Sequence, residues 1–288
     1  MAVCKETGVV NVLVAFWGPA HGQGRTTSNM AAIATTIALD NHIRVLMTHT
    51  HLEQGALEYV FAQTRPPAQS TRTSGGMDAI ERLVQCGMLT PEGIRDHAES
   101  ILKDRLEMLG GSTSKEGQAT KLLLPHIFKD YRRFYDLMFV DISSEDNLEV
   151  ISLVMEQADL VVVNLNQNRV NLDSYFSKNN TVPIPAGKPV LYCLGSYESS
   201  SRLNKDRIIK QYDLKKKEIG YIPHHIRYMD AQNEQQIVQF MLKAREAKSR
   251  FLEFSEDEYF TGAVRHMGQL ILQALEISPV SELDDDDD

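Results

Sequence analysis

The stretch GPAHGQGRTTSNM, residues 18–30, follows the apolar run VVNVLVAFW and leads into AAIATTIAL, whose apolar residues have helical spacing. A strand, a glycine-bearing turn and a helix that opens on two threonines form the layout of a phosphate-binding loop. In such a loop, successive backbone N–H groups turn onto the phosphates, and a Ser or Thr hydroxyl holds Mg²⁺. Because Gly22, Gly24, Thr26 and Thr27 can supply these parts, we expect an anion-binding loop here.

The loop departs from the strict GxxxxGK[ST] pattern at two positions. The first glycine is replaced by Pro19 and the lysine by Arg25. An arginine can pair with phosphate oxygens, but its planar fork is not equivalent to a compact ammonium group. A strand-to-helix turn with glycines and no ligand also occurs in many α/β proteins, and that alternative stays open.

A second site residue is expected at the end of a later apolar run. The sequence DLMFVD closes on Asp141, in the position of the aspartate that works beside a phosphate-binding loop on the metal side. We therefore predict that Asp141 lies within reach of Thr26 through a metal or a water, with these two residues as the metal-side pair.

Alternating apolar runs and helical patterns predict the fold class. The predicted strands are 9–17, 43–49, 136–142, 159–164, 188–194 and 218–222, and the predicted helices are 26–40, 119–134, 146–157, 202–212, 234–253 and 257–276. Such alternation favours one doubly wound α/β domain with a mainly parallel sheet of about seven strands. We assign residues 1–276 to that domain, with 65–118 as a helical connection or insertion, for which helices near 77–86 and 91–104 are predicted. The acidic residues 277–288 are expected to be a disordered tail.

Composition limits the classes of function. No run approaches the ~20 apolar residues of a membrane span, and the N-terminus lacks the pattern of a secretory signal. The expectation is therefore a cytoplasmic protein without a transmembrane segment. Three cysteines and nine histidines, without metal-ligand spacing, indicate neither a disulfide framework nor a metal cluster.

Charge argues against a protein coated in nucleic acid, since the formal net charge is −9. One local exception is the stretch 202–217, which is rich in lysine and arginine. With Glu218 included, seven basic and three acidic residues give it a charge of +4. We interpret it as a solvated face that binds a protein partner, and we expect DNA binding to be absent at physiological salt.

Five stretches, in this order, resemble the MinD/ParA group of P-loop ATPases, and within it the pilus-assembly branch that includes CpaE and TadZ. They are AHGQGRTTSNMAAIATTIA, RVLMTHTHLEQGALE, YDLMFVDISSEDN, ADLVVVNLNQNRVNLDSY and GYIPHHIRYMDAQNEQQIV. They match the family's phosphate loop, first switch, Walker B strand with second switch, following strand, and closing segment. The resemblance covers roughly residues 9–245.

The resemblance implies ATP and Mg²⁺ as cofactors and a homodimer with facing phosphate loops. It implies a nucleotide site that contains Gly22, Gln23, Gly24, Arg25, Thr26, Thr27, Asp141 and Pro223. The family's signature lysine, which reaches across the dimer, falls at Ala20. We therefore expect a dimer that depends little on ATP.

The switch segments also depart from the family. His49 and His51 replace the aspartates expected in the first switch, and Gly195 stands where the family often has an asparagine for the base. We expect nucleotide binding to be weakened or lost and hydrolysis to be very slow or absent. For the two histidines, a packed or surface role is weighed against a metal site or proton relay. Glu145 and Asp146 are switch carboxylates or caps of the following helix.

Two classes of function follow. The first is a pseudo-ATPase that serves as an adaptor or scaffold in a membrane-linked assembly such as a pilus or secretion apparatus, peripheral to the membrane through its partners. The second is an active ParA-type partition ATPase that acts on DNA. The catalytic residues are not assigned from the sequence.

Overall fold

The structure, a computed structural model, describes residues 11–51, 56–61, 75–112, 118–146, 148–177, 184–246 and 255–277. Its strands are Val12–Trp17 (β1), Val45–His49 (β2), Glu99–Leu102 (β3), Leu106–Met108 (β4), Leu137–Asp141 (β5), Leu160–Leu165 (β6), Val190–Tyr197 (β7) and Ile219–Pro223 (β8). Its helices are Thr26–Asp40 (α1), Ala56–Phe61 (α2), Gly76–Gln85 (α3), Pro91–Asp96 (α4), Gln118–Asp130 (α5), Leu148–Gln157 (α6), Arg169–Phe176 (α7), Lys205–Tyr212 (α8), Ile226–Asn233 (α9), Ile237–Glu246 (α10) and Glu256–Ala274 (α11).

The eight strands form one sheet in the order β3-β4-β2-β5-β1-β6-β7-β8. Every neighbouring pair is parallel except β3 and β4, which pair antiparallel at one edge. β1 lies in the interior, between β5 and β6, and the chain crosses from one side of β1 to the other after β5. In open α/β sheets this crossing point, at the carboxyl ends of the strands, is where ligands bind.

Helices cover both faces of the sheet, which is why the central strands are mostly apolar. In β1, Val14 and Phe16 point into the core beneath α1, α10 and α11. Leu13 and Ala15 point into the opposite core, beneath α3, α5 and α6. The predicted doubly wound, mainly parallel α/β fold is confirmed.

The last long helix, α11, packs on edge strand β8 and on α1. An added Cβ at Gly220 of β8 would lie 2.2 Å from the sulfur of Met267, so the side chains of the helix pack directly on the strand backbone at this position. Phe260, Val264 and Ile271 are fully buried in the same contact. Among the helices in the described part of the chain, none combines the length and the apolar character that a bilayer crossing requires.

Some elements differ from those predicted. Helix α1 has the predicted bounds, whereas the predicted helix 91–104 is wrong beyond Asp96. Residues 99–108 form the hairpin of β3 and β4 instead, so the described part of the chain has eight strands in the sheet and the connection 65–118 is not only helical. These strands have only four and three residues; β4 pairs with β2, which lies far away in sequence, and β3 pairs with β4. The tail beyond residue 277 lies outside the described residues, and assignment of the chain to a single domain remains a prediction.

Candidate functional site

The loop of residues 18–25 joins β1 to α1 at the carboxyl edge of the sheet. Gly22 has φ 68°, in the left-handed region that glycine tolerates without strain. Arg25 also lies there, with φ 56° and ψ 36°, and it is the residue that precedes the first turn of α1. A non-glycine residue held in this conformation costs free energy of order 1–3 kcal/mol, and such residues cluster at functional sites.

The N-terminus of α1 is suited to an anion. Arg25 provides no side-chain cap for the helix, and the first turn contains no acidic residue. The unpaired N–H groups of a helix N-terminus and its dipole together attract negative charge. The backbone here is therefore suited to an anion, and anion binding by the loop remains a prediction.

Asn29 and Asn164 hold the loop from beneath. The amide of Asn29 donates to the carbonyl oxygen of Gly24 at 2.9 Å and to Oδ1 of Asn164 at 2.8 Å. A Cβ at Gly24 would lie 2.5 Å from the backbone oxygen of Asn164, and a Cβ at Gly195 would lie 2.3 Å from the oxygen of Gly24. Both glycines are required because backbone meets backbone at these two points.

A cleft of about 490 Å³ opens beside the loop. The loop lines one side of it, and Asp141 with residues 142–146 lines the other. Asp141 is buried, and its Oδ2 accepts a hydrogen bond of 2.5 Å from the hydroxyl of Thr27. Its Oδ1 is buried and has no hydrogen-bond partner within the described part of the chain.

His51 lies against the same carboxylate. Its Nε2 is 3.3 Å from Oδ2 of Asp141, and the ring lines the cleft. Burial by itself would lower the pKa of His51, but the hydrogen bond and charge of Asp141, together with the charges of Asp146 and Glu58, outweigh it and raise the pKa above its ordinary value. The cleft therefore favours a cationic imidazole beside Asp141.

His49 is packed rather than exposed. Its side chain is fully buried, its Nε2 lies 2.6 Å from Oε1 of Glu58, and its Nδ1 accepts the backbone N–H of His51 at 3.2 Å. The same Glu58 oxygen accepts the N–H of Gly111 at 2.7 Å. Of the two alternatives for the histidines, these contacts favour the packed role. Within the described ranges, no three His, Cys, Asp or Glu side chains are placed to hold a metal ion together.

The contacts of Glu58 predict a loss of stability in acid. Burial would raise the pKa of Glu58, but the hydrogen bond and charge of His49 and the N–H of Gly111 outweigh it and lower the pKa. A carboxylate with a lowered pKa stabilises the fold above its unfolded pKa and loses that contribution as pH falls through its folded pKa. In urea unfolding experiments, we expect the stability of Glu58→Gln to fall less than that of the wild-type chain as the pH drops below about 4.5. Glu81→Gln, a partly exposed position on α3, is the control, and identical pH profiles for Glu58→Gln and the wild-type chain would contradict the assignment.

Hydrogen bonds connect the segment after β5 to the residue that follows β2. The hydroxyl of Thr50 donates to Asp146 and accepts the N–H of Ser143 at 3.0 Å. Asp146 thus holds Thr50. Glu145 extends toward the loop, 3.6 Å from Nδ1 of His21, with both side chains largely exposed.

Solved structures of several ATPases have a similar architecture. A ParA family ATPase from Chlorobium tepidum is 15% identical, with a TM-score of 0.67 over 91% of this chain and 99% of that chain. MinD from Pyrococcus horikoshii, solved with Mg-ADP, is 16% identical, with a TM-score of 0.65 over 91% and 96%. A McdA variant from Cyanothece, solved with ATP, is 12% identical, with a TM-score of 0.60 over 96% and 100%.

The chain has the MinD/ParA fold. It shares the parallel sheet and flanking helices of these ATPases along almost their full length. No protein-family model matches the sequence, and no curated protein matches it.

The predicted site residues of this MinD/ParA-like chain come together in part. Gly22, Arg25, Thr26, Thr27 and Asp141 line the cleft. The side-chain oxygen of Gln23 is instead bound from the side, by the amides of Asn166 and Asn171.

Two of the predicted residues take positions that the sequence did not indicate. Thr27, rather than Thr26, bonds directly to Asp141, while the hydroxyl of Thr26 faces Gly18. Pro223 lies in a separate recess of about 30 Å³, which it shares with Arg25 and Tyr228.

Sequence reasoning missed the residues that hold the loop and the first-switch segment in place. Asn164, Asn29, Thr50 and Glu58 were not singled out. The available signal was a polar residue inside an otherwise apolar run, as with Asn164 in VVVNL. A buried polar side chain needs a partner, so such a residue marks a contact even where its partner cannot be named.

Proposed function

We propose that this chain is a degenerate MinD/ParA-like nucleotide-binding protein that positions or scaffolds a pilus or secretion assembly or another cellular cargo, with very slow or absent ATP hydrolysis. One observation carries the proposal. The uncapped N-terminus of α1 and Asp141 line one cleft of about 490 Å³, and Oδ1 of Asp141 is buried without a hydrogen-bond partner in the described part of the chain. The P. horikoshii MinD structure holds Mg-ADP, which supports the same ligand class here.

The residues present fit Mg²⁺ in chemistry. Mg²⁺ takes hard oxygen ligands and keeps several waters, so one carboxylate and one hydroxyl with substrate phosphates make a usual protein contribution. Asp141, with Thr26 or Thr27, supplies those oxygens. Bound Mg²⁺ would neutralise phosphate charge, and Arg25 would pair with the phosphate oxygens.

The contacts around the cleft support slow or absent hydrolysis. The end of β2 carries His49 and His51, and neither can act as a carboxylate that orients water. His51 is held against Asp141, and Asp146 is held by the hydroxyl of Thr50. His51, Asp141 and Asp146 are thus engaged in structural contacts.

Weak binding of the base is supported at the other end of the site. Gly195 leaves no room for a side chain that could read a base, because a Cβ there meets the oxygen of Gly24. The recess beside Pro223 measures about 30 Å³, far less than the cleft of about 490 Å³ beside the loop.

Calorimetry and a turnover assay test the proposal together. We expect titration with ATP and Mg²⁺ to show binding in the range of tens of micromolar or weaker, with a similar affinity for pyrophosphate because the phosphates supply most of the contact. Turnover should equal that of Asp141→Asn, which has nearly the same shape but one fewer charge. Turnover clearly above that of Asp141→Asn would make the chain an active ATPase and contradict the proposal.

We also propose a homodimer with facing loops and a protein partner in a membrane-linked assembly. Ala20 stands in the loop where a lysine would reach the partner's phosphates, and it lines the cleft without any charge to offer. The dimer would therefore depend on apolar and loop contacts more than on ATP. Leu148 and Ile226, each at the start of a helix at this edge, are exposed apolar residues that suit such an interface.

The alternative is an active partition ATPase that binds DNA. Whether the basic stretch 202–217 binds DNA decides between the two functions. Lys215, Lys216 and Lys217 are exposed, and Lys215 pairs with Glu218 at 3.2 Å. Neutralising few phosphates gives weak, salt-sensitive binding, and charges are screened beyond ~8 Å at physiological salt. We expect no measurable binding to duplex DNA in an anisotropy titration. Micromolar binding to duplex DNA would favour the partition ATPase if it shows two further properties. It should be lost when all three lysines are changed to glutamate, and it should persist at low salt when all three are changed to glutamine.

A further inference from the structure

A second cavity, of about 420 Å³, lies at the opposite edge of the sheet from the loop. Three of its lining residues stand just before parallel strands: Arg44 precedes β2, Arg105 precedes β4, and Tyr135 lies two residues before β5. The amino ends of these strands therefore form its floor. A volume of this size is within the range of small-molecule pockets.

Three guanidinium groups line this cavity, and the fold holds each of them. Arg105 donates to the carbonyl oxygen of Asn41 at 2.7 Å. Arg95, from the end of α4, stacks over the ring of Phe134 with Cζ 4.7 Å from its centre. The backbone of Arg44 is fixed by hydrogen bonds at both its N–H and its carbonyl oxygen. The positions of all three are set by secondary structure and packing, which lowers the entropy cost of binding a ligand.

Neither of the two acids that line the cavity forms an ion pair with its arginines within the described part of the chain. Glu107 accepts the hydroxyl of buried Tyr135, and Asp104 is exposed on the turn between β3 and β4. Three arginines against these two acids give the lining a formal charge of +1, while Asp96, just outside the lining, pairs with Arg95 at 3.3 Å. The guanidinium of Arg44 has no hydrogen bond or ion pair to any residue in the described part of the chain. Each guanidinium has five donors, so donors remain for a ligand.

Tyr135 lines this cavity and is buried. Burial and the hydrogen bond to Glu107 raise the pKa of Tyr135 far above its ordinary value, while the charges of Arg95 and Arg44 act in the opposite direction.

We propose that this cavity is a second binding site, separate from the loop, for a small phosphorylated molecule. The forked guanidinium groups of Arg44, Arg95 and Arg105 match the oxygens of a phosphate group, which can accept from two or three of them at once. Asp104 and Glu107 at the rim and floor select against larger polyanions because they add negative charge beside the arginines. The ligand class is thus a phosphate monoester of modest size.

Side-chain NMR of the full chain tests this site, with inorganic phosphate as the probe. We expect saturable shifts of the Nε–Hε resonances of Arg44, Arg95 and Arg105, at a matched ionic strength set with chloride. In the double variant Arg44→Gln/Arg95→Gln, the affinity reported by Arg105 should fall at least about tenfold, since a hydrogen bond to a charged group contributes roughly 1.5–3 kcal/mol. Lys103→Gln, on the adjacent turn but outside the cavity, should leave that affinity unchanged.

Several results would overturn the proposal. One is the absence of saturable shifts in the wild-type chain, which needs no variant to fold. Another is equal affinity in the wild-type chain and the double variant. A third is binding of citrate with no binding of phosphate, which would assign the cavity to carboxylates. The Nε–Hε resonance of Arg25 reports on the loop, and that of Arg105 reports on the cavity. A negative result at the cavity can therefore be distinguished from a failure of nucleotide binding.

Discussion

Replacing Gly24 with alanine is expected to abolish anion binding at the loop and to lower the free energy of unfolding by about 1–3 kcal/mol. The added Cβ would lie 2.5 Å from the backbone oxygen of Asn164 and 2.9 Å from its carbonyl carbon. Neither atom can move cheaply because both belong to β6, an interior strand that pairs with β1 and β7. The loop must therefore shift, and its N–H groups leave the positions from which they face an anion.

Chemical denaturation and calorimetric titration with pyrophosphate measure the two effects separately. Gly262→Ala is the matched control, since a Cβ at Gly262 in α11 meets no atom within 4 Å. That change should keep pyrophosphate binding and raise stability by up to about 1 kcal/mol through helix propensity. Unchanged pyrophosphate affinity in folded Gly24→Ala would remove the loop from the candidate site.

Replacing Arg25 with glycine is expected to separate the conformation of the loop from its charge. Glycine adopts the left-handed region freely, so the free energy of unfolding should stay within about 1 kcal/mol of the wild-type value or rise. The affinity for pyrophosphate should fall at least about tenfold, because a charge-assisted hydrogen bond to phosphate is lost. Because Arg25→Gly and the wild-type chain would have the same loop backbone, the loss of pyrophosphate affinity would be attributable to the guanidinium group.

Asp213→Gly provides the matched control for the backbone effect. Asp213 has φ 53° at the end of α8, which is similar to the conformation of Arg25 but lies far from the loop in sequence. It should show the same change in stability with no change in pyrophosphate affinity. Equal affinities for Arg25→Gly and the wild-type chain would show that Arg25 does not contact the anion, and they would contradict its assigned role.

Local signals were sufficient for the elements around the loop. An apolar run, a turn with two glycines and a helical pattern occur within 32 consecutive residues, 9–40, and α1 has the predicted bounds. The apolar runs of β1, β5 and β6 predicted strands covered on both faces, because only a doubly covered parallel sheet buries every residue of a strand. Fold class and loop position depend on sequence neighbours and on periodicity, and both can be derived from the chain alone.

Contacts between distant residues decided the rest. The hairpin of β3 and β4 is short and depends on pairing with β2, so its local pattern could not separate it from a helix. Whether Thr26 or Thr27 reaches Asp141 depends on the left-handed turn at Arg25, which sets the rotation of α1. The arginine cavity combines residues 44, 95 and 105 from three separate elements.

By itself, the sequence thus determined the class of the fold and the position of the loop and its helix. These follow from residue type and spacing, which need no knowledge of distant partners. Only the tertiary structure decided why Gly24 admits no side chain, because the atom that excludes a Cβ there belongs to Asn164, 140 residues further along the chain. The physical reason is that steric exclusion, burial and pairing of charges act through space.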